Sequence, residues 1–351
     1  MKVAVICDTH FGVRGDSELF LNYQEQFYRE IFFPYLDTNN ITTLLHLGDL
    51  FDRRKYVNFV TLKRVREIFL DELKKRNIQV HGIVGNHDTS FKNTNKTNST
   101  TLLLNEYENY KVYSDKPVVV TIDDCNIMLS PWICHENREA SYEAFSETSV
   151  KVLMGHFEFM GFEMMKGRLS EHGLNHVDFK KFSNVYSGHY HHQSSVENIT
   201  YLGAPYEMTW SDYAGKRGFH IFDTKTLDMV FVPNTYSIFN KIEYDDTNLT
   251  IEDVQALEIS GLTNTILKVI IKKKTNPYIF DMFIDNLQSV CADIKIIEDS
   301  LNFDMIDEEI IDEAQDTPSL LRSYIDGLEL NADKTRVNQF LHDLYYEAVS
   351  L

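Results

Sequence analysis

Five short aliphatic runs in the first two-thirds of the chain end in the same way. VAVI leads into Asp8-Thr9-His10, TTLLHL into Gly48-Asp49, and VHGIV into Gly85-Asn86-His87-Asp88. VKVLM leads into Gly155-His156, and NVYS into Gly188-His189-Tyr190-His191. Apolar runs of this length, closed off by glycine, predict buried strands. The segments between them, 18–35 and 57–75 among them, carry a helical pattern. A chain that repeatedly leaves a buried strand for a polar turn, with helices between, is confined to an α/β fold. Its polar residues then gather at strand C-terminal ends, where open α/β sheets place their sites.

Those strand ends share one chemistry. Asp8, His10, Asp49, Asn86, His156, His189 and His191 offer carboxylate, imidazole and amide oxygen, all metal ligands. A mixed oxygen and nitrogen set without thiolate suits Mn²⁺, Fe²⁺ or Zn²⁺ better than calcium. Seven ligands are too many for one ion and fit two if a carboxylate bridges. Two ions about 3.5–4 Å apart can hold a bridging hydroxide and clamp a phosphoryl group under in-line attack. Two divalent ions, Mn²⁺ first among them, are therefore expected. The stretch VYSGHYHHQ places three histidines within four positions. Side chains alternate along an extended chain, so His189 and His191 share a face and each takes an ion, while His192 points away.

The formal net charge of −19 argues by itself against a nucleic-acid partner. Its distribution weakens that argument. Residues 298–351 hold 14 acids and 3 bases. The rest carries basic clusters at Arg53-Arg54-Lys55, Lys63-Arg64, Lys180-Lys181, Lys216-Arg217 and Lys272-Lys273-Lys274, whose default reading is solvated surface charge. Four scattered cysteines form no CxxC pair and fit a reduced, cytoplasmic setting. No apolar run approaches the roughly 20 residues of a membrane span.

The pattern changes near residue 235. Residues 236–297 read as strand, strand, helix, strand, a small α+β second domain. The segment 298–316 contains nine acids and no base, which predicts a solvated linker. Residues 317–351 read as two amphipathic helices, the second with a stripe at Val337, Phe340, Leu341, Leu344, Tyr345 and Ala348.

The ordered set D-x-H, G-D, G-N-H-D, G-H, G-H-x-H resembles the calcineurin-like metallophosphoesterase superfamily over residues 1–235. The resemblance implies a four-layer α/β arrangement, a β-sandwich flanked by helices. It also implies a first ion on Asp8, His10, Asp49 and His191, and a second on Asp49, Asn86, His156 and His189. His87 would protonate the leaving oxygen or stabilise its charge, with Asp88 orienting it. GDLFDRR, residues 48–54, resembles the serine/threonine phosphatases. GDLF with VGNHD resembles the SbcD-type nucleases of recombination and repair, many of which carry histidine where Asp52 stands. The capping domain at 236–297, the acidic linker and the terminal helices favour the nuclease branch, and within it the bacteriophage members. That branch implies an exo- and endonuclease acting on double-stranded DNA ends in recombination, repair and replication. It also implies a homodimer through 57–75 and 101–107, in the host cytoplasm, with DNA contacts at Arg53, Arg54, Lys272, Lys273 and Lys274. Phe340, Leu341, Leu344 and Tyr345 would dock on the coiled coil of an SMC-like ATPase. A phosphomonoesterase or protein phosphatase of the same fold is the alternative.

Overall fold

The computed structural model describes residues 1–165, 168–298, 325, 334 and 336–341. In chain order, the strands of the two main sheets begin with β1 (Lys2–Ile6), β2 (Thr43–Leu47), β3 (Gln79–Ile83) and β4 (Tyr110–Tyr113). Next come β5 (Val118–Ile122), β6 (Cys125–Ser130), β7 (Val152–His156) and β8 (Asn184–Gly188). The last four are β9 (Ser194–Val196), β10 (Ile199–Tyr201), β11 (Gly218–Asp223) and β12 (Met229–Pro233). They form two six-stranded sheets, ordered β12-β11-β1-β2-β3-β4 and β9-β10-β8-β7-β6-β5. The centre of each sheet is parallel, β1 to β4 in one and β6, β7, β8 and β10 in the other.

Alternation along the strands builds the layers. Val3 and Val5 of β1 face a sandwich core with Leu45, Leu47, Met154, Tyr186 and Phe222, drawn from both sheets. Ala4 and Ile6 face the opposite way, into a core shared with Phe27, Phe32, Leu44, Phe69 and Phe219. Leu153 and Val185 of the second sheet face a third core with Phe145, Phe157 and Phe179. Burial on both faces explains why VAVI is continuously apolar. The result is four layers, helix, sheet, sheet and helix.

Two long helical segments cover the first sheet. The first, α1, runs Glu18–Phe27, widens into a π turn at Tyr28–Phe32 and continues as Phe33–Thr38. The second, α2, runs Phe59–Val65, has its own π turn at Arg66–Leu70 and ends at Asp71–Lys75. The π turns meet through Tyr28 and Phe69, ring centroids 4.9 Å apart, and both rings pack on Phe11. π turns are rare outside functional surroundings, and this pair supports the residue directly after His10. A short helix, α3, occupies Ser99–Leu103, so only the start of the 101–107 stretch is helical. On the second sheet lies α4 (Arg138–Glu147).

Beyond Pro233 the chain builds a three-stranded parallel sheet, β13 (Phe239–Asp245), β14 (Ile266–Lys273) and β15 (Asp293–Glu298). It carries α5 (Ile251–Gln255), which the sequence pattern did not suggest, and α6 (Pro277–Gln288). Asn276 caps α6 by accepting from Tyr278 N at 3.1 Å, with Pro277 in the first turn where its missing N–H is no loss. This capping segment has its own core of Tyr244, Leu267, Val269, Phe283 and Leu287. It nevertheless belongs with the sandwich in one compact unit, Met1–Glu298. Buried Glu207 joins the two, accepting from Ile238 N at 2.9 Å and Phe239 N at 3.0 Å. Asp299–Leu351 forms a second unit, in which residues 336–341 are helical and Phe340 is exposed. The expected acidic stretch, Leu344 and Tyr345 lie outside the described residues.

Candidate metal centre

The C-terminal ends of β1, β2, β3, β7 and β8 deliver their side chains to one place. Three overlapping groups result: Asp8, His10 and His191; His10, Asp49 and His87; and Asp49, His156 and His189, each with ligand atoms within 4.8 Å of one another. Asp49 Oδ2 lies 3.6 Å from His10 Nε2 and 3.2 Å from His156 Nε2, between the two flanking groups. Asn86 Oδ1 lies 2.9 Å from His156 Nε2 and 3.0 Å from His189 Nδ1. His10 Nε2 and His191 Nε2 face each other at 3.1 Å. All seven residues expected as ligands are therefore assembled.

The local backbone is held in an uncommon conformation. Asp8, His10, Asp49 and His189 have φ of 52°, 39°, 56° and 92°. Left-handed non-glycine residues cost on the order of 1–3 kcal/mol each and persist where the surroundings over-determine them. Here the surroundings are hydrogen bonds across loops: main-chain Asp8 N to Gly48 O and His10 N to Asp49 O, and His189 N to the Asp8 side-chain Oδ1. Gly85 is required by close approach, since a Cβ there would lie 2.1 Å from Asp49 Oδ1.

Tautomers are set from outside the cluster. His156 Nδ1 pairs with the Leu47 carbonyl at 2.8 Å, which turns Nε2 inward. His87 Nδ1 pairs with the Asp52 carbonyl at 2.5 Å, leaving Nε2 available to a substrate. Two buried atoms of the cluster, Asp8 Oδ2 and His10 Nδ1, have no hydrogen-bond partner. An unpaired buried carboxylate oxygen is costly unless a cation meets it. Beside His10 Nδ1, 3.5 Å away, lies Asp52 Oδ1, close enough for an ion pair but not aligned for a hydrogen bond. Donor types, inward lone pairs and the orphaned Asp8 oxygen all fit divalent metal.

Electrostatics point the same way. Burial alone would lower His10, but Asp52, Asp49 and Asp8 hold it up at about 9. Burial is likewise overcome at His156, held at about 9 by Asp49 and Asp8. The carboxylates thus create a field that attracts any cation. Burial works to raise Asp49, yet His156, His87 and His10 keep it well below the usual carboxylate range. Burial pushes Asp8 up. Burial, reinforced by His156, drives His189 well down, and burial with His10 does the same to His191. His189 and His191 are thereby neutral, as metal ligation requires, whereas His10 and His156 would give up a proton to a cation.

Three expectations change. The carboxylate of Asp88 does not orient His87. It accepts from Asp49 N at 2.9 Å, Leu50 N at 3.0 Å, Phe51 N at 3.4 Å and Gly85 N at 2.9 Å, so it shapes the loop carrying Asp49, and the Asp52 carbonyl faces His87 instead. Burial, together with Asp49, raises Asp88 to about 7. His189 and His191 are not successive in-facing residues of a strand: β8 stops at Gly188, and a bend sends each to a different group. His192 lies with Nε2 3.8 Å from Asp212 Oδ1. Arg217 is buried, so the Lys216-Arg217 pair is not simply solvated. Arg53 lies over the Tyr56 ring at 5.1 Å, and Arg54 is next to it in sequence. Lys272, Lys273 and Lys274 are exposed at the end of β14, Lys272 3.8 Å from Glu243 and Lys274 over Phe280. The sequence reading missed Trp132, whose ring lies 5.2 Å from that of His189. No local motif marks it.

These features define a His/Asp cluster able to hold metal, and the chain belongs to the calcineurin-like phosphoesterases, whose profile matches residues 1–216. Over 350 residues it is 33% identical to exonuclease subunit 1 of Enterobacteria phage T4, a match covering 99% of each chain. Among solved structures it resembles a novel archaeal phosphodiesterase, with 14% identity, 67% of this chain and 100% of that one covered, and a TM-score of 0.33. It also resembles GAP50, the anchor in the inner membrane complex of Plasmodium, with 10% identity, coverage of 68% and 90%, and a TM-score of 0.37. No helix among the described residues is long and apolar enough to cross a membrane.

Proposed function

We propose that the chain is a two-metal-dependent DNA nuclease, with exo- and endonuclease activity, and the nuclease subunit of an ATPase–nuclease complex in recombination, repair and replication. The observation that carries this reading is the full-length relation to an exonuclease subunit, which extends through the capping segment and the C-terminal unit as well as the phosphoesterase part. A phosphomonoesterase would need neither addition.

Asp8, His10, Asp49 and His191 hold one ion, and Asp49, Asn86, His156 and His189 the other. Mn²⁺ suits this ligand set. When bound, two divalent cations supply an activated water and balance the charge of the phosphoryl group under attack. The protein contributes the rest. Asp49 fixes the spacing by serving both groups. His87, steered by the Asp52 carbonyl, hands a proton to the leaving oxygen, a role of about 10²–10⁴ in rate. Asp88 keeps the Asp49 loop in shape. Arg53 and Arg54, two residues or fewer beyond Asp52, meet the backbone of the DNA near the centre, and Lys272, Lys273 and Lys274 meet it on the capping sheet. Phe340, Leu341, Leu344 and Tyr345 dock on the coiled coil of an SMC-like ATPase, as an amphipathic helix lies in a groove. The chain works as a homodimer in the cytoplasm of the host.

The test is incubation with Mn²⁺ and end-labelled duplex DNA, with and without the ATPase, alongside a small phosphomonoester. Metal-dependent shortening of the DNA is expected. Rapid monoester turnover with DNA intact in both arms would favour a phosphatase. Removing residues 317–351 should abolish co-purification with the ATPase while leaving the melting temperature of Met1–Glu298 unchanged; a large fall in melting would assign those helices to the chain's own core.

A further inference from the structure

We infer that Arg217 is a positioning residue for His191, and that it ties this ligand to the capping sheet through Asp212 and Trp210. The inference rests on the metal centre proposed above. His191 lies beyond the end of β8, so no sheet ladder holds its main chain. Its carbonyl is gripped in other ways. Arg217 Nη1 donates to it, Ala204 N donates to it at 3.0 Å, and Gly203, at φ 75°, leaves room where a Cβ would lie 2.9 Å from that oxygen. Arg217 is only 4% exposed. A buried guanidinium needs a partner charge, and Arg217 Nη2 donates to Asp212 Oδ1 at 2.8 Å.

Asp212 is itself committed. Its Oδ2 accepts from Met208 N and Thr209 N, both at 2.9 Å, which closes the short helical turn Trp210–Asp212. The same turn carries Trp210 into the capping sheet. The Trp210 ring packs at a tilt of 43° against Phe239 of β13 with centroids 4.6 Å apart, and Lys268 Nζ of β14 sits 4.0 Å from its centre. An unbroken line of contacts therefore runs from the capping sheet to the carbonyl of a metal ligand. The fork geometry of arginine lets one side chain hold the Asp212 carboxylate and the His191 carbonyl together, which a lysine ammonium does less well.

The experiment is calorimetric titration of Mn²⁺ into the full-length chain, with thermal melting in excess chelator as the fold control. The wild type is expected to take two ions. Arg217→Gln should weaken one ion about 10–100-fold, the size seen when an outer partner of a ligand is lost, and leave the other near its wild-type affinity. Arg217→Lys should fall between the two, and it keeps the Asp212 charge paired if the Gln variant does not fold. Adding His189→Ala should then remove the ion that Arg217→Gln spares. Phe239→Leu should weaken the same ion as Arg217→Lys, and the double variant should lose less than the product of the two effects. Equal weakening of both ions with a lower melting point in chelator would mean that Arg217 merely holds the fold, and wild-type titrations in the Arg217 variants would likewise overturn the inference. Strictly multiplicative effects would sever the link to the capping sheet. A wild-type chain that takes up no ion would instead sink the metal centre itself.

Discussion

Replacing Asp52 by alanine separates two contacts made by one residue. The carbonyl that pairs with His87 Nδ1 at 2.5 Å survives, and the carboxylate 3.5 Å from His10 Nδ1 is lost. That carboxylate acts on His10 in two opposing ways. It lies behind an imidazole proposed as a metal ligand, and losing such an outer partner costs about 10–100-fold in metal affinity, roughly 1.4–2.7 kcal/mol. It also helps to hold His10 at about 9 against the effect of burial. Below that pH a proton competes with the ion, so affinity rises with pH by about tenfold per unit for each proton displaced. The alanine variant has less proton affinity to overcome. Its deficit should be largest near pH 9 and shrink toward pH 7, so its plot of log affinity against pH should be flatter. Mn²⁺ titration calorimetry at several pH values reads this directly. Parallel plots for the two proteins would show that Asp52 does not govern His10 and would refute the reasoning.

His87→Ala should lose about 10²–10⁴-fold in cleavage while retaining both ions, whereas His189→Ala should lose an ion as well as activity; equal metal loss in both would contradict the division of roles. Gly85→Ala should destabilise the chain by about 1–3 kcal/mol and weaken both ions together, because the new Cβ would meet Asp49, which serves both; metal content measured by mass spectrometry should show it, and normal stoichiometry would refute it. Burial lowers His220 to about 4, so it is neutral in the fold. Between pH 6.5 and 4 the unfolded chain binds a proton that the folded chain refuses, and stability falls with falling pH by about 1.4 kcal/mol per unit from this residue. Urea melts of His220→Phe should therefore lose less stability between pH 7 and 5 than the wild type, and equal losses would remove His220 as a contributor.

The strand ends were legible because both faces of the central strands are buried. That makes each run continuously apolar and sets off the polar residue where it stops, as at Ile6, Leu47 and Ile83. The strands β4, β5 and β6 escaped: YKVY is interrupted by a polar residue, and none of the three leads directly into a residue of the cluster. Adjacency misled at Asp88. It follows His87 in sequence, but its carboxylate turns toward amides 37 to 39 positions earlier. Asp52 and Arg217 act through a main-chain carbonyl and a buried salt bridge, Arg217 upon a residue 26 positions away. Neither kind of partnership leaves a local pattern. His189 and His191 reach the separate groups expected of them, but through a bend at φ 92° beyond the strand and not from one strand face, as period-two reasoning had it.

The central claim is a pair of ions that share Asp49. Anomalous diffraction from crystals of the full-length chain grown with Mn²⁺ tests it most directly. The account predicts two anomalous peaks about 3.5–4 Å apart, one bounded by Asp8, His10 and His191, the other by Asn86, His156 and His189, with the Asp49 carboxylate between them. A single peak, or two peaks that leave Asp49 bound to one ion only, would contradict it.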